Sequence, residues 1–271
     1  MTSSLPNSKI ILVTGSSSGI GKACCEQLSK SSIVYGASRT ETHSDAWTYL
    51  RIDITSSESI SAAIEAIISA HGRLDALIHC AGSSLTGPVE ETSEDEVLVQ
   101  FNTNYFGTLR MLRGVLPIMR RQNSGTIIII GSIGGIIALP FQAHYSATKF
   151  ALDGMVAALR TEVRPFNIHA CVLHPGNFKT ALNENRIRAK SVAPDSPYLA
   201  AFERAANFYA SEEINAPSPA IVARKAEQIL MQARPRARYI VGSPIERLGV
   251  FAKRVLPSPL FELATRLFYF P

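Results

Sequence analysis

A glycine-rich turn after the first apolar run is the feature that most constrains how this chain can fold. Residues 10–13 are consecutive apolar side chains, a pattern typical of a strand buried on both faces of a parallel sheet. Residues 14–21 then carry three glycines and lead into a helical pattern. Gly15 permits a tight turn, Gly19 lets the backbone approach a phosphate, and Gly21 lets helix and strand pack closely. The sequence therefore predicts a pyrophosphate-binding turn at a helix N-terminus.

Strand-like and helix-like segments alternate along most of the chain. Strands are predicted at residues 10–13, 33–37, 47–52, 76–78, 126–130 and 168–173. A long helix is predicted over residues 145–163. The alternation predicts one α/β domain over residues 1–243, a doubly wound, Rossmann-like parallel sheet with helices on both faces. Residues 244–271 are predicted to form a C-terminal helical extension.

Three short signals predict where further helices begin. Thr55 and Ser93 are each followed three residues later by a glutamate, which is the capping-box spacing. Ser218 and Pro219 fit an N-cap residue followed by a first-turn proline. We therefore expect a helix to begin at each of these positions.

Composition excludes several classes of protein. The chain has no run of eighteen apolar residues, and residues 1–9 lack a secretory core, so no transmembrane span or signal peptide is expected. The net charge of +5 lies in residues 234–271, whose seven basic and two acidic side chains do not form a nucleic-acid surface. The cysteines lack CxxC spacing and accompanying histidines, which argues against a metal site and for a reducing, cytoplasmic location: Cys24, Cys25, Cys80 and Cys171.

A tyrosine and a lysine lie on one face of the long predicted helix. Tyr145 and Lys149 are four residues apart, about one helical turn. Free tyrosine has a pKa near ~10, and lowering it by three units requires roughly 4 kcal/mol, which a close, poorly solvated cation can supply. The pair is therefore a candidate proton donor near neutral pH. A helix face without any chemistry is the alternative, because so short a motif also matches by accident. Ser132 lies thirteen residues upstream of Tyr145, just after a strand.

Over about residues 9–180, the chain resembles the short-chain dehydrogenase/reductase family. The resemblance rests on the turn at residues 14–21, on Ser132, and on Tyr145 with Lys149, in this order. Residues 131–135 are similar to the subgroup that contains hydroxysteroid dehydrogenases, retinol dehydrogenases and acyl-dihydroxyacetone-phosphate reductases. The resemblance implies a nicotinamide-dependent oxidoreductase. Tyr145 is then the general acid or base, and Ser132 binds the substrate oxygen. Lys149 lowers the tyrosine pKa and holds the nicotinamide ribose.

The resemblance also implies which residues contact the cofactor. Asp53 and Ile54 would contact the adenine. Ala81 and Gly82 would lie close to the cofactor, although His79 and Cys80 before them replace two asparagines that normally brace the sheet. The turn would contribute Gly15, Ser17, Ser18, Gly19, Ile20 and Gly21.

Two further segments match the family. Asn104 belongs to an Asn-x-x-Gly motif, which implies that it bends its helix and holds a water that links Lys149 to solvent. The segment after the sixth strand resembles Pro-Gly-x-x-x-Thr, a loop that binds the nicotinamide carboxamide. Its cofactor residues would be Pro175, Gly176, Phe178 and Thr180.

The end of the second strand indicates which nucleotide is bound. Chains that bind NAD usually place an acidic residue there to hold the ribose 2′-hydroxyl. This chain has Ser38, Arg39 and Thr40 instead. Arg39 can bind a 2′-phosphate while the two hydroxyl groups donate hydrogen bonds to it. A solvated Arg39 without a ligand is the alternative, but the sequence favours NADP(H).

The combined interpretation is an NADP(H)-dependent enzyme that transfers hydride between nicotinamide and the carbonyl or alcohol of a hydrophobic substrate, such as a steroid, retinoid or lipid-like ketone. A non-catalytic NADP-binding regulatory or scaffold protein on the same fold is the alternative. The resemblance implies a homodimer or homotetramer formed through helices around residues 104–121 and 145–163. Apolar side chains of residues 177–217 are expected to line the substrate pocket or to be core: Phe178, Leu182, Tyr198, Leu199, Phe202, Phe208 and Tyr209.

The basic C-terminal extension predicts two short amphipathic helices separated around Pro257 and Pro259. One apolar stripe recurs at three- and four-residue spacing over residues 248–255 and another over residues 260–267. One hypothesis is that these stripes rest on an anionic membrane surface, so that the protein is peripheral on an intracellular membrane. The alternative, slightly favoured, is that they pack over the substrate cleft or a partner subunit.

Overall fold

Parallel strands form the central sheet of the structure, a computed structural model that describes residues 8–180, 186–190 and 192–269. The strands are β1 (Ile10–Thr14), β2 (Ile33–Ser38), β3 (Thr48–Arg51), β4 (Ala76–His79), β5 (Leu85–Thr86), β6 (Gly125–Ile130), β7 (Ile168–Pro175), β8 (Ile187–Arg188) and β9 (Arg238–Val241). Seven of them form one sheet in the order β3-β2-β1-β4-β6-β7-β9, and β5 pairs with β8. The predicted doubly wound parallel sheet is confirmed.

Helices cover both faces of this sheet. They are α1 (Gly19–Leu28), α2 (Ser57–His71), α3 (Glu94–Phe101), α4 (Gly107–Gln122), α5 (Ala143–Glu162), α6 (Leu199–Ile214), α7 (Ala220–Leu230), α8 (Pro244–Val255) and α9 (Ser258–Tyr269). Side chains of α2, α4 and α5 form one hydrophobic core against the sheet, and those of α1 and α7 form a second core on the opposite face. Strands covered on both faces must be mostly apolar, which is why residues 10–13 of β1 and 127–130 of β6 are unbroken apolar runs.

The strand order reverses beside β1, and this reversal positions the site. β1 lies between β2, where Ile10 is opposite Ile33, and β4, where Ile11 is opposite Ala76. The chain therefore winds outward in one direction through β2 and in the other through β4. In open α/β sheets, ligands bind in the crevice at the carboxyl ends of the strands at this reversal.

The six predicted strands are present, with ends that differ by at most two residues from the prediction. The helix predicted over residues 145–163 is α5. The sequence analysis missed β9, which follows a proline-containing loop and has only four residues, too short a run to distinguish from a loop. It also missed α6, whose aromatic side chains were interpreted only as a pocket wall or core.

Two predicted helix starts are each wrong by one residue. Thr55 does not cap α2, because its backbone N–H and its hydroxyl both donate to the Asp53 carboxylate, at 2.9 and 2.7 Å. Ser56 is the N-cap instead and accepts a hydrogen bond from the Ser59 N–H. The capping box that begins at Ser93 is confirmed. At α7 the N-cap is Pro219 rather than the preceding serine.

The C-terminal extension forms the two predicted helices, α8 and α9, with Pro257 between them. Ser243 and Glu246 form a capping box at the start of α8. No helix in the described part of the chain is long and apolar enough to cross a bilayer. The domain boundary at residue 243 stays a prediction.

Candidate active site

The glycine-rich turn lies at the strand reversal with its backbone in left-handed conformations. Gly15 has φ +70° and Gly19 has φ +54°, a region that L side chains rarely adopt. A Cβ atom on Gly15 would lie 2.9 Å from the Ala81 nitrogen, and one on Gly19 would lie 3.1 Å from the Thr180 Cβ. A Cβ atom on Gly21 would lie 2.1 Å from the Gly15 oxygen. The turn therefore depends on these glycines, and its cradle fits a pyrophosphate at the N-terminus of α1.

The same distances show that the predicted cofactor segments meet. Gly15 packs against Ala81, and Gly19 packs against Thr180, which follows β7. Ser17, Ser18 and Ile20 belong to the same turn, and the two serines are exposed. Pro175 ends β7, and Gly176 donates its N–H to the Val241 oxygen at 2.7 Å. The Phe178 side chain is buried in the core with α1 and α7, so only its backbone is available to a cofactor.

His79 joins the strands on either side of the reversal. Its Nδ1 lies 2.8 Å from the Thr14 hydroxyl, and that hydroxyl also accepts the Cys80 N–H at 3.2 Å. Burial, followed by the charge of Lys149, lowers the pKa of His79 to about 3, so the ring is neutral. His79 therefore braces β1 against β4 in place of the asparagine that the family usually has.

The end of β2 presents an arginine to solvent. Arg39 and Thr40 are exposed, whereas Ser38 is buried and donates its hydroxyl to the Thr40 oxygen at 2.6 Å. Asp53 lies within the electrostatic reach of Arg39. Hydrogen bonds from Thr55 and then the charge of Arg39 lower the pKa of the Asp53 carboxyl, so it is ionised at neutral pH. The neighbouring Ile54 is buried, and it packs where a Cβ on Gly107 would lie.

Ser132 and Tyr145 lie side by side after β6. The Ser132 side chain hydrogen-bonds Tyr145, and both side chains border Gly134, whose Cβ would lie 3.2 Å from Ser132 Oγ and 3.4 Å from Tyr145 Cε1. Burial raises the pKa of Tyr145, while the hydrogen bond to Ser132 and the charge of Arg186 act in the opposite direction. The phenol is therefore protonated at neutral pH, which is the form that donates a proton.

Lys149 lies one turn further along α5, with Nζ 5.7 Å from the centroid of the Tyr145 ring. Nζ donates to the Ile130 oxygen at 3.0 Å, and burial lowers the pKa of Lys149 to about 8. The expectation that Lys149 gives Tyr145 a lowered pKa is not met in this arrangement. Burial of the phenol is the largest cause and raises the tyrosine pKa, and the opposing contributions come from Ser132 and Arg186 rather than from Lys149.

Asn104 links the part of α5 that carries Lys149 to the loop after β4. It lies in a π-helical turn, Asn102–Phe106, between α3 and α4, so the helix is distorted at Asn104 as predicted. Its amide donates to the Ser83 oxygen and the Thr148 hydroxyl, each at 3.0 Å, and accepts the Ser83 N–H at 2.9 Å. A Cβ on Gly82 would lie 3.1 Å from Asn104 Oδ1 and 3.9 Å from Lys149 Nζ. The water that Asn104 is expected to hold stays a prediction.

Aromatic side chains of α6 line a small cavity together with Phe141 and Arg186, and the charge of Arg186 acts on Tyr145. Phe202 is fully buried, and its ring lies 5.5 Å from that of Phe141. The Tyr209 hydroxyl donates to the Pro140 oxygen at 3.0 Å, and the Arg186 guanidinium lies 5.4 Å from the Tyr209 ring. Of the other predicted pocket residues, Leu199 and Phe208 are half-buried, Tyr198 donates to Glu90, and Leu182 lies outside the described residues. A separate cavity of about 320 Å³ touches Gly19 and Thr180 but not Tyr145.

The sequence analysis missed a buried polar chain behind Ser132. His174, fully buried at the end of β7, has Nδ1 2.8 Å from the Ser132 backbone oxygen and Nε2 3.2 Å from Asp153 on α5. Asp153 in turn accepts hydrogen bonds from Arg238 of β9, at 2.6 to 3.0 Å. This series of polar side chains fixes the Ser132 backbone relative to α5. A histidine just before Pro175, in place of an apolar strand residue, was the signal available in the sequence.

Asp153 makes the fold sensitive to acid. Burial alone would raise the pKa of its carboxyl, but hydrogen bonds from His174 and Arg238 and their charges lower it far below its ordinary value. The stabilisation is present above the ordinary aspartate pKa of about 3.9 and is lost as the pH falls towards the folded-state value. We expect Asp153→Asn to lower the free energy of unfolding by about 1.5–3 kcal/mol at pH 7 and by less at pH 3, in urea titrations.

The matched control is Glu203→Gln, which removes the carboxylate of an exposed ion pair with Arg188. Exposed pairs contribute about 0–1 kcal/mol, so this variant should unfold almost as the wild type does. An Asp153→Asn effect of the same size at pH 3 and pH 7 would show that the carboxylate charge does not carry the stabilisation.

No group of three or more histidine, cysteine, aspartate or glutamate side chains within residues 8–180, 186–190 and 192–269 could hold a metal ion. Cys24, Cys25 and Cys171 are buried without a disulfide, and burial raises the pKa of the Cys25 and Cys171 thiols. They pack in the cores, as predicted for Cys24 and Cys25.

Comparisons with known proteins agree with this geometry. The model of the short chain dehydrogenase family matches residues 9–191. A 3-ketodihydrosphingosine reductase from Bacteroides thetaiotaomicron is 39% identical, covering 96% of this chain and 98% of its own. Human 17-beta-hydroxysteroid dehydrogenase type 1 is 33% identical, covering 85% of this chain and 76% of its own. A short-chain dehydrogenase/reductase from Burkholderia phymatum, solved in complex with NAD, superposes with a TM-score of 0.79 at 20% identity over 95% of each chain.

The family match covers most of the chain, and the relatives include the hydroxysteroid and lipid reductases that the motifs resemble. The turn, Ser132, Tyr145 and Lys149 lie together at the strand reversal, where the fold binds its ligands. The chain belongs to the short-chain dehydrogenase/reductase family and is an oxidoreductase.

Proposed function

We propose that the protein is an NADP(H)-dependent carbonyl reductase that acts on a hydrophobic, lipid-like ketone. The observation that carries the proposal is the hydrogen-bonded pair of Ser132 and Tyr145, with Lys149 Nζ 5.7 Å from the tyrosine ring. A serine hydroxyl, a protonated phenol and an ammonium group at one site are the groups that a carbonyl needs as it accepts a hydride and then a proton.

In the proposed mechanism, Ser132 and Tyr145 act on the substrate oxygen, and Lys149 both holds the nicotinamide ribose and supplies a positive charge. Ser132 donates a hydrogen bond to the substrate oxygen and stabilises the negative charge that develops there. Tyr145 donates its phenolic proton to the same oxygen, and its raised pKa keeps that proton available at neutral pH. Lys149 places a positive charge beside them. The nicotinamide of the bound cofactor supplies the hydride. The cofactor would be held by the turn of Gly15 to Gly21, by Ala81 and Gly82, and by Thr180.

Two observations support the proposed substrate class. Phe141, Phe202 and Tyr209 line a small cavity with Arg186, whose charge acts on Tyr145, and these aromatic side chains favour an apolar ligand. The relative named 3-ketodihydrosphingosine reductase matches 96% of this chain. A test is NADPH oxidation with a panel of 3-keto sphingoid bases, steroid ketones and short polar ketones. Turnover of the long-chain ketones with at least tenfold higher kcat/KM than of the short polar ones is expected, and turnover confined to small polar ketones would contradict the substrate class.

The preference for NADP(H) is proposed from the end of β2. Arg39 is exposed there, and residues 38–40 carry no acidic residue, so a 2′-phosphate meets a cation in place of the carboxylate that NAD-binding chains usually have. A charge-assisted hydrogen bond contributes roughly 1.5–3 kcal/mol, which corresponds to a preference of about 10- to 100-fold. We expect Arg39→Ala to raise the KM for NADPH by that factor and to leave the KM for NADH nearly unchanged. Ser38→Asp should reverse the preference by repelling the 2′-phosphate.

The control for these variants is Arg121→Ala, which removes an exposed arginine from the last turn of α4. It should leave both KM values unchanged. A wild-type protein that favours NADH in steady-state kinetics would contradict the assignment of Arg39.

The proposed assembly is a homodimer or homotetramer formed through α4 and α5. Two phenylalanines on this side of the fold, Phe106 and Phe150, are more than 40% exposed, and Leu98 and Val99 of α3 are exposed as well. Large apolar side chains clustered on one surface are typical of an interface between subunits. Light scattering in solution measures the number of subunits directly.

A further inference from the structure

The α8 helix turns its more apolar face away from the protein. Leu248, Phe251 and Val255 recur at three- and four-residue spacing, so they share one side of the helix. All three are exposed, from 56% at Val255 to 63% at Leu248. Val250 is two positions from Leu248, on the opposite side of the helix, and it is buried. The side of α8 that packs on the fold therefore carries fewer large apolar side chains than the exposed side does.

The α9 helix has the same arrangement. Leu260, Leu263 and Leu267 share one side and are between 45% and 56% exposed. The packed side carries Phe261, which is buried, and Tyr269, whose ring lies 5.3 Å from that of Phe208. We call the six exposed side chains of the two helices the outer face: Leu248, Phe251, Val255, Leu260, Leu263 and Leu267.

The stripes are exposed and do not pack over the cleft, and their packing on a partner subunit stays a prediction. An amphipathic helix in a water-soluble fold normally buries its apolar stripe, because burial removes apolar surface from water. Here two consecutive helices leave that stripe uncovered. Exposed apolar surface that is contiguous along an element marks a contact with a partner or a membrane.

The charges that border the outer face indicate which of these it contacts. Arg247, Arg254 and Arg266 are exposed, and each immediately precedes a leucine or valine of the outer face. The Glu246 carboxylate is turned inward, where it accepts the N–H groups of Ser243 and Asn177 at 2.7 and 2.6 Å. The charge beside the outer face is therefore mainly positive. Two copies of such a face would repel each other, whereas anionic headgroups would be attracted to it.

We propose that the outer face docks peripherally on an anionic lipid bilayer, with the six apolar side chains at the headgroup and acyl boundary and the arginines on the phosphates. The proposal concerns binding and does not depend on the reaction. Its position is consistent with a lipid substrate, however, since Tyr269 of α9 contacts Tyr209, which lines the same small cavity as Arg186, and the charge of Arg186 acts on Tyr145. A role of the outer face in delivering that substrate rests on the proposed function.

Co-sedimentation of the full-length protein with vesicles tests the proposal. The vesicles are phosphatidylcholine alone and phosphatidylcholine with 30% phosphatidylglycerol, at about 50 mM and about 500 mM salt. We expect at least tenfold tighter binding to the anionic vesicles at low salt, and a loss of that advantage at high salt. Leu248→Ser with Leu263→Ser should weaken binding at least tenfold, and Arg247→Gln with Arg254→Gln should abolish the preference for anionic lipid.

The matched control replaces two exposed apolar residues outside the outer face, Val89→Ser with Met231→Ser, and should bind vesicles as the wild type does. Thermal unfolding and light scattering of each variant establish that it is folded and unchanged in mass. Wild-type protein that ignores both vesicle types, or that binds them equally at all salt concentrations, overturns the proposal. So does a serine variant that falls to a smaller oligomer, because the outer face is then a subunit interface. Normal ketone turnover in a variant that no longer binds vesicles would leave the proposed reaction intact.

Discussion

Tyr145→Phe is expected to remove most carbonyl reduction while leaving NADPH binding largely intact. The substitution deletes one oxygen from a buried ring and keeps the packing of the ring, so the fold should hold. Loss of a positioned general acid typically costs 10²- to 10⁴-fold in kcat, which corresponds to roughly 3–5 kcal/mol of activation free energy. The measurements are kcat with a long-chain ketone at saturating NADPH, and the dissociation constant of NADPH from fluorescence.

Tyr35→Phe is the matched control, since it removes a phenolic hydroxyl that contacts His71 at the end of α2. Tyr35 lies on β2, three strand positions along the sheet from β6, which Ser132 follows. It should change kcat by less than a factor of about two, on the order of RT in activation free energy. A Tyr145→Phe variant with near-normal kcat would contradict the assignment of Tyr145. A wild-type protein that binds NADPH but reduces no ketone, aldehyde or quinone would favour the alternative, a non-catalytic NADP-binding scaffold.

The parts of the fold and the site that the sequence predicted are those set by local spacing. An unbroken apolar run such as residues 126–130 can only be a buried strand or a short core helix, and its length favours the strand. Gly15 and Gly19 follow such a run and need left-handed backbone, which the structure shows. Tyr145 and Lys149 are neighbours because they are one helical turn apart, whatever surrounds the helix.

What the sequence did not predict depends on contacts between distant segments. His174, Asp153 and Arg238 come from β7, α5 and β9, and their hydrogen bonds exist only once three elements meet. The pKa of Tyr145 was predicted from one neighbour along the helix, but the burial that raises it comes from the surrounding fold. Thr55 has the spacing of an N-cap residue, but its hydroxyl donates to the Asp53 carboxylate and therefore does not cap α2.

The direction in which α8 and α9 face was also beyond the sequence. Periodicity identifies an apolar stripe but not what the stripe contacts. Val250 and Phe261, which lie off the stripe or at its edge, supply the packing contacts, so Leu248 and Leu263 are left outside. The basic sequence and its stripes were compatible with helices that pack on the fold and with helices that face a membrane. The exposure of Leu248 and Leu263 favours the membrane-facing arrangement.

Lys149→Met is expected to weaken both catalysis and cofactor binding, since the lysine is proposed to hold the nicotinamide ribose and to place a charge beside Tyr145. Each lost charge-assisted hydrogen bond is worth roughly 1.5–3 kcal/mol, so the KM for NADPH should rise about 10- to 100-fold. A further loss in kcat of at least about tenfold is expected at pH 7, where the ammonium form predominates. Lys30→Met, which removes an exposed lysine just after α1, should leave both constants within about twofold, on the order of RT.

The pH dependence separates the role of this lysine from a general loss of structure. Burial lowers the pKa of Lys149 to about 8, so wild-type activity should fall above that pH as the ammonium is lost, and the Met variant should lack this limb. The effect on stability has the opposite sign. Between about pH 8 and the ordinary lysine value of about 10.4, the unfolded chain binds the extra proton, so this group increases the free energy of unfolding as the pH rises. Wild-type activity should therefore decline while its stability, measured relative to Lys149→Met, increases. If both decline together, or if the Met variant keeps the alkaline limb, another group titrates there and the assignment of Lys149 is wrong.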